Sequence, residues 1–263
     1  MAIMPRKDIA DFLEESVRHY NRVAFIENDP VSIPHLFTKK EDREISGFFA
    51  AVLAWGNRKT IIRNASRLME QMDGAPYEFV MHHTTNELNR LAPFVHRTFN
   101  GGDCMFFIRS LRNIYRSHQG MEHIFTKGFR QQSHPAAAIH EFRKVFFMPR
   151  HELRTEKHLG DPYRNSASKR ICMFLRWMVR TDRDRVDFGL WKQIQPGQLA
   201  IPLDVHTARV ARALGLLRRK TNDWKAVMEL TNALRQLDPA DPVKYDFALF
   251  GMGVNERRGK AGW

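Results

Sequence analysis

Cysteine is scarce: Cys104 and Cys172 are the only two in 263 residues. Two thiolates cannot build a four-cysteine zinc site or an iron–sulfur cluster. They could close one disulfide, but nothing in the sequence forces it, and a reducing cytosol is the simpler setting. With 15 glycines and 2 cysteines the chain is neither collagen-like nor a disulfide framework. No stretch approaches 18 consecutive apolar residues, so no membrane-spanning helix is expected. The start, Met1-Ala2-Ile3-Met4-Pro5-Arg6-Lys7-Asp8, lacks the apolar run of a secretory leader, and a cytoplasmic protein is expected. No repeat of 20–50 residues and no sustained period-two alternation is visible. Acid is short as well: 29 Asp and Glu stand against 42 Lys and Arg, leaving +13 and a pI near 10.1. That balance favours a polyanionic partner and says nothing about fold.

What is present is core-forming material. Apolar residues make up 43% of the chain, and 19 Phe and 5 Trp require burial, which disfavours disorder. The apolar positions recur with helical spacing. Ile45, Phe48, Phe49, Val52 and Leu53 form one stripe. Ile61, Ala65, Leu68, Met69 and Met72 form a second, ended by Asp73-Gly74-Ala75-Pro76. Further stripes run through Phe107, Leu111, Ile114 and Tyr115; through Ile139, Phe142 and Phe146; and through Ile171, Phe174, Leu175, Met178 and Val179. Segments 205–214, 224–237 and 243–250 complete the series. The fold class is therefore all-α, with eight to eleven helices.

Charge is concentrated. From Arg143 to Arg185 there are twelve basic and five acidic residues. Two long candidate loops, Met148–Ser166 and Thr181–Pro202, interrupt the helices here, and loops of that length often carry function. The run reads either as a phosphate-backbone footprint or as a solvated basic surface.

Two residues invite chemistry. Asn165-Ser166-Ala167-Ser168-Lys169-Arg170-Ile171 reads as a helix start with Ser166 as N-cap. Lys169 then sits in the first turn, where the helix dipole and the neighbouring Arg164 and Arg170 disfavour its ammonium. An amine so placed can act as a nucleophile and form a Schiff base; the same spacing also suits an exposed lysine or a phosphate contact. Further on, Asp204 follows the apolar loop Leu199-Ala200-Ile201-Pro202-Leu203 as the natural N-cap of a helix over Val205–Leu214, closed by Gly215. A sheltered, ionised carboxylate can stabilise a developing cation or orient a water, and capping alone accounts for it too.

Ser166-Ala167-Ser168-Lys169-Arg170-Ile171 and Ile201-Pro202-Leu203-Asp204-Val205-His206-Thr207-Ala208-Arg209-Val210-Ala211-Arg212-Ala213-Leu214-Gly215-Leu216 resemble the helix–hairpin–helix DNA glycosylase superfamily. There, a lysine opens the second hairpin helix and an aspartate follows before a helix rich in Arg and Leu. Glu44 to Asn57 looks like its early core helix and DNA-facing turn, and Phe247-Ala248-Leu249-Phe250-Gly251-Met252-Gly253 like its last core helix. Over nearly its full length the chain is similar to an uncharacterised bacterial family assigned to that superfamily. The 35 positions between Lys169 and Asp204 resemble the long spacing of an archaeal oxoguanine-excising branch. One departure stands out: Leu159-Gly160-Asp161-Pro162-Tyr163-Arg164 replaces the glycine-rich hairpin turn.

The resemblance implies a two-part helical fold with DNA gripped in a cleft. One part is formed by residues 1–44 and 186–263, the other by 45–185. It implies base excision in DNA repair, with Lys169 attacking the sugar of a flipped nucleotide and Asp204 assisting. It places Asn57, Arg58, Lys59, Arg164, Ser166, Ser168, Arg170 and His206 against DNA, and Trp55 and Phe250 as base-pocket walls, although both also suit plain core. The expected partner is DNA, with RNA left open; the expected state is a monomer with no cofactor and no metal. Pairs such as His82 and His83, or His134 and His140, lack ligand spacing. A non-catalytic DNA- or RNA-binding protein of the same fold, or an enzyme acting on free nucleotides, remains an alternative.

Overall fold

The computed structural model describes residues 5–255. In chain order its α-helices are α1 Arg6–Tyr20, α2 Val23–Glu27, α3 Ser32–His35, α4 Lys40–Leu53, α5 Arg58–Gln71, α6 Pro76–His82, α7 Thr85–Asn89, α8 Gly101–Ser117, α9 Met121–Gln132, α10 Pro135–Phe146, α11 Lys169–Val179, α12 Val205–Ala213, α13 Trp224–Arg235 and α14 Tyr245–Asn255. Between α7 and α8 lie two short antiparallel strands, β1 Val95–His96 and β2 Phe99–Asn100. The fold is all-α. The fourteen helices among the described residues exceed the expected eight to eleven because α2, α3, α6 and α7 have only four to seven residues. Such elements are too short to show a helical stripe. Among the described residues no helix is long and apolar enough to cross a membrane.

The chain divides into two compact units, Met1–Phe25 with Pro162–Trp263, and Ile26–Asp161. The divisions fall at 26 and 162 rather than at 45 and 186. Arg176 of α11 and Arg180 just after it bind carboxylates of the later chain, Asp187, Asp241 and Asp246, which ties the helix to the carboxyl-terminal residues.

The Ile26–Asp161 unit is built on phenylalanine. Phe48 and Phe49 of α4, Phe107 of α8, and Phe142 and Phe146 of α10 have no exposed surface. Phe107 meets Phe146 edge-on at 4.8 Å and stacks with Phe48 at 5.9 Å. Each buried ring contributes about 1.5–3 kcal/mol over an exposed one, so this cluster fixes the unit. The segment 148–161 wraps back on Asp103, a fully buried carboxylate at the start of α8. It accepts from Arg154, Thr155 and His158. Burial alone would raise this carboxyl; the Asn100 amide, the Thr155 hydroxyl and the His158 and Arg154 charges outweigh it and hold it below the ordinary value.

In the other unit α14 packs between α1 and α12. Close approach is made possible by small residues: a Cβ at Gly251 would lie 2.4 Å from the Tyr20 ring, and one at Gly253 2.9 Å from His206. Against expectation, α11 is not half-exposed. Every residue from Ile171 to Arg180 is buried, Arg176 and Arg180 included. The segment 181–202 covers it, with Phe188 N–H donating to Trp177 O and Trp191 N–H to Met178 O. Cys104 and Cys172 are both free and buried, and burial pushes both thiols well above their ordinary value.

Candidate active site

The site is made by two helix starts in one unit. Leu199–Leu203 is a buried apolar strap, fastened by Ile201 N–H donating to Thr231 Oγ1 and by Arg235 donating to Leu199 O. It delivers Asp204 to the start of α12. There Asp204 Oδ1 accepts from the His206 and Thr207 amides, both at 2.8 Å. Two of the unpaired donors of the helix end are thus satisfied, and the carboxylate cannot swing.

Its second oxygen, Oδ2, lies 3.9 Å from Lys169 Nζ, the first residue of α11. Both side chains are partly sheltered, 27% and 17% exposed. The half-exposed ion pair adds little to stability, about 0–1 kcal/mol. Its interest is chemical: an amine and a carboxylate at contact range, one of them fixed by backbone donors.

The start of α11 differs from expectation. Ser166 is not its N-cap. Ser168 occupies that position with a left-handed φ of +47° and no capping bond from its side chain. The two serines bond to each other instead: Ser168 N–H donates to Ser166 Oγ at 3.2 Å, and Ser168 Oγ–H to Ser166 O at 3.3 Å. Asn165 is also left-handed, at φ +61°. Two non-glycine residues therefore supply the positive φ values that glycine ordinarily takes in tight turns. The turn is anchored from α13: Trp224 N–H donates to Asn165 O, and Asn165 Nδ2 to Asp223 Oδ2.

Behind the pair lies a buried charge cluster. Arg176, seven residues after Lys169 on α11, binds Asp187 and Asp246. Arg180 binds Asp182, Asp187 and Asp241. Burial pushes the Asp246 carboxyl up to about 7; Arg176 and Lys169 oppose that shift, and Asp204 and Asp187 add to it. This cluster corrects the reading of the basic run. Arg143 is buried against Glu156, Arg154 is held by Asp103, and Arg176 and Arg180 lie inside the carboxylate cluster. Arg143, Arg176 and Arg180 are buried and hold the chain together internally, while Arg154, tied to Asp103, keeps 37% of its side chain exposed.

The remaining candidate residues separate by unit. Phe250 is half-buried on α14, edge-on to His206 at 6.2 Å and to Phe25 at 6.4 Å. The His206 ring bonds Gly253 O through Nδ1 at 3.0 Å, which ties α12 to α14. Arg164 is exposed and Arg170 half-buried at the approach to α11. Trp55, Asn57, Arg58 and Lys59 belong to the Ile26–Asp161 unit. Asn57 caps α5, its Oδ1 accepting from Thr60 N–H at 3.2 Å; Lys59 is exposed and Arg58 half-buried. Among the described residues no three His, Cys, Asp or Glu converge to hold a metal ion. His134 caps α10 and His82 pairs with Glu78.

Asp246 and Arg176 are the neighbours that sequence reasoning missed. A lone acid inside Tyr245-Asp246-Phe247-Ala248-Leu249-Phe250 is a signal that could have found the first. Its counter-ion, distant in the chain, left no comparable trace.

No curated protein and no solved structure matches the chain. Residues 29–255 match the model of the family described as a protein of unknown function (DUF2400), and the chain belongs to that family.

Proposed function

We propose that this protein is a lysine-dependent DNA glycosylase of the helix–hairpin–helix type that excises a damaged base and forms a Schiff base with the sugar. The observation that carries this reading is the 3.9 Å approach of Lys169 Nζ to Asp204 Oδ2 at two partly open helix starts. In the proposed reaction Lys169 first passes its ammonium proton to water. Its amine then attacks the sugar C1′, forming a C–N bond as the bond from C1′ to the base breaks, and the departing base takes up a proton. Opening of the sugar ring gives an iminium ion; water returns the free lysine and the sugar aldehyde, or elimination cleaves the strand. Asp204, held by two amides, offers its free oxygen to the cationic character that develops at C1′. Phe250, beside His206, is the proposed wall for the extruded base.

The test is base release from duplexes that each carry one damaged base. The wild type is expected to release at least one of them, and Lys169→Ala to release none. Release by Lys169→Ala at the wild-type rate would remove the lysine from the mechanism.

One observation favours a second reading, a nucleic-acid binder without catalysis. The pairing of Lys169 Nζ with Asp204 Oδ2 at 3.9 Å suits a cation held for a phosphate contact as well as it suits a nucleophile. That reading predicts salt-sensitive binding with no release from any lesion.

A further inference from the structure

Among the described residues the three fully buried arginines, Arg143, Arg176 and Arg180, are each neutralised by carboxylates. Arg97 is handled differently. It is exposed and, among the described residues, has no carboxylate within ion-pair distance, yet its guanidinium is held in place. It lies over the Trp55 ring, 4.4 Å from the centroid. The guanidinium also lies close to Gly56, where a Cβ would come within 2.6 Å of Arg97 Nη1. Gly56 has φ +110°, so the absence of a side chain there serves both the turn and the guanidinium. The indole is placed for its face: Trp55 Nε1 is buried and finds no acceptor among the described residues, whereas a buried indole N–H ordinarily has one.

The backbone under Arg97 is strained and tied down. Arg97 and Thr98 form the two-residue turn between β1 and β2, and Arg97 takes φ +58°. A left-handed non-glycine residue costs about 1–2 kcal/mol. The turn is held by Arg154, which donates to Thr98 O at 2.8 Å while gripping Asp103 at 2.8 and 2.9 Å. It is held again by the reciprocal cap between Asn100 and Asp103 at the start of α8. Strain that the surroundings enforce, under a cation with no acid partner, is the pattern of a preorganised receptor. A stacked guanidinium keeps its N–H edge free for bidentate bonding to a phosphate. Asn57, Arg58 and Lys59 continue directly from Gly56 into α5, adding positive charge beside it.

We infer that Arg97, stacked on Trp55 and seated against Gly56, is a binding site for a backbone phosphate of nucleic acid. This rests on the nucleic-acid partner of the proposed function and not on the chemistry of Lys169.

The variant of choice is Arg97→Gly, because glycine accepts φ +58° without strain. It should fold at least as stably as the wild type. Its affinity for a short undamaged DNA duplex, followed by fluorescence anisotropy over a range of KCl, should fall about three- to tenfold. The slope of log K against log salt should shrink by about one. Arg97→Lys should keep the slope and lose affinity, since lysine lacks the planar fork. Lys225→Ala, which removes one exposed cation of α13 that is no part of this site, should leave duplex affinity within about twofold. A hairpin RNA run in parallel tells which nucleic acid supplies the phosphate; a loss on either supports the site. Unchanged affinity and slope for Arg97→Gly, or no binding of either nucleic acid by the wild type, would overturn it. Base release by Lys169→Ala, measured alongside, separates the two claims. Normal release by that variant with weakened binding by Arg97→Gly sinks the glycosylase proposal alone. The converse sinks the phosphate site alone.

Discussion

The two helices that carry the candidate pair begin in opposite ways. At α12 the first turn is closed by the side chain of its own N-cap, Asp204, through two amide donors. At α11 the N-cap Ser168 is left-handed and contributes no capping bond; the turn is held from α13 through Asn165. One start is local and self-sufficient, the other is imposed by tertiary contacts. A carboxylate is therefore presented rigidly by its own sequence neighbourhood, and an amine is brought to it by the packing of the unit.

Substitutions can break or sharpen this contrast. The largest effect is expected behind both starts. Arg176→Met leaves Asp187 and Asp246 without a shared cation inside the fold, and removal of one partner from a buried ion cluster costs about 3–5 kcal/mol. Urea unfolding measures this. A loss under about 1 kcal/mol would mean that the cluster is not what joins α11 to α14.

The next effect is a pH dependence. The Asp246 carboxyl sits at about 7 when folded, above the roughly 3.9 of an unfolded aspartate. The folded state thus holds a proton that the unfolded state has released. The stability this gives is complete below about pH 4 and is lost as pH rises to about 7. Against Asp246→Asn, the wild type should lose relative stability across that window, at up to about 1.4 kcal/mol per pH unit. A difference that stays flat from pH 4 to 8 contradicts the shift.

A smaller effect separates capping from chemistry at α12. Asp204→Ala removes the cap and should cost about 1 kcal/mol, whereas Asp204→Asn keeps an amide-accepting oxygen and should stay within about 0.5 kcal/mol. Base release should fall steeply in both. Full activity in Asp204→Asn would leave the carboxylate with a structural role only.

The smallest effect belongs to α11. Ser168→Gly relieves a left-handed serine and should stabilise by about 0.5 kcal/mol, after allowance for the extra freedom of the unfolded chain. A clear destabilisation would show that the serine–serine bonds outweigh the strain.

The same contrast explains what the sequence disclosed. Periodicity gave the buried faces of α4, α5, α8 and α10, because an amphipathic stripe is a local pattern. The Asp204 cap was legible for the same reason: an aspartate after Ile201-Pro202-Leu203 and before a helical run has one natural place. The cap of α11 was misread because Ser166 satisfies the capping rule locally, while the actual turn depends on Asp223 and Trp224, 58 and more positions away. Within the basic run, charge alone does not say whether an arginine faces water or a buried carboxylate, so the burial of Arg143, Arg176 and Arg180 left no local sign. The stacking of Arg97 on Trp55 gave no signal, since it depends on a two-residue turn 42 positions along the chain from the indole.

The most direct test of the central claim, an amine and an acid acting together at C1′, is borohydride reduction in the presence of lesion-bearing duplex, followed by peptide mapping of any covalent adduct. The account predicts a single adduct at Lys169, strongly reduced in Asp204→Asn. An adduct on another lysine, or none with any duplex that loses its base, would contradict it.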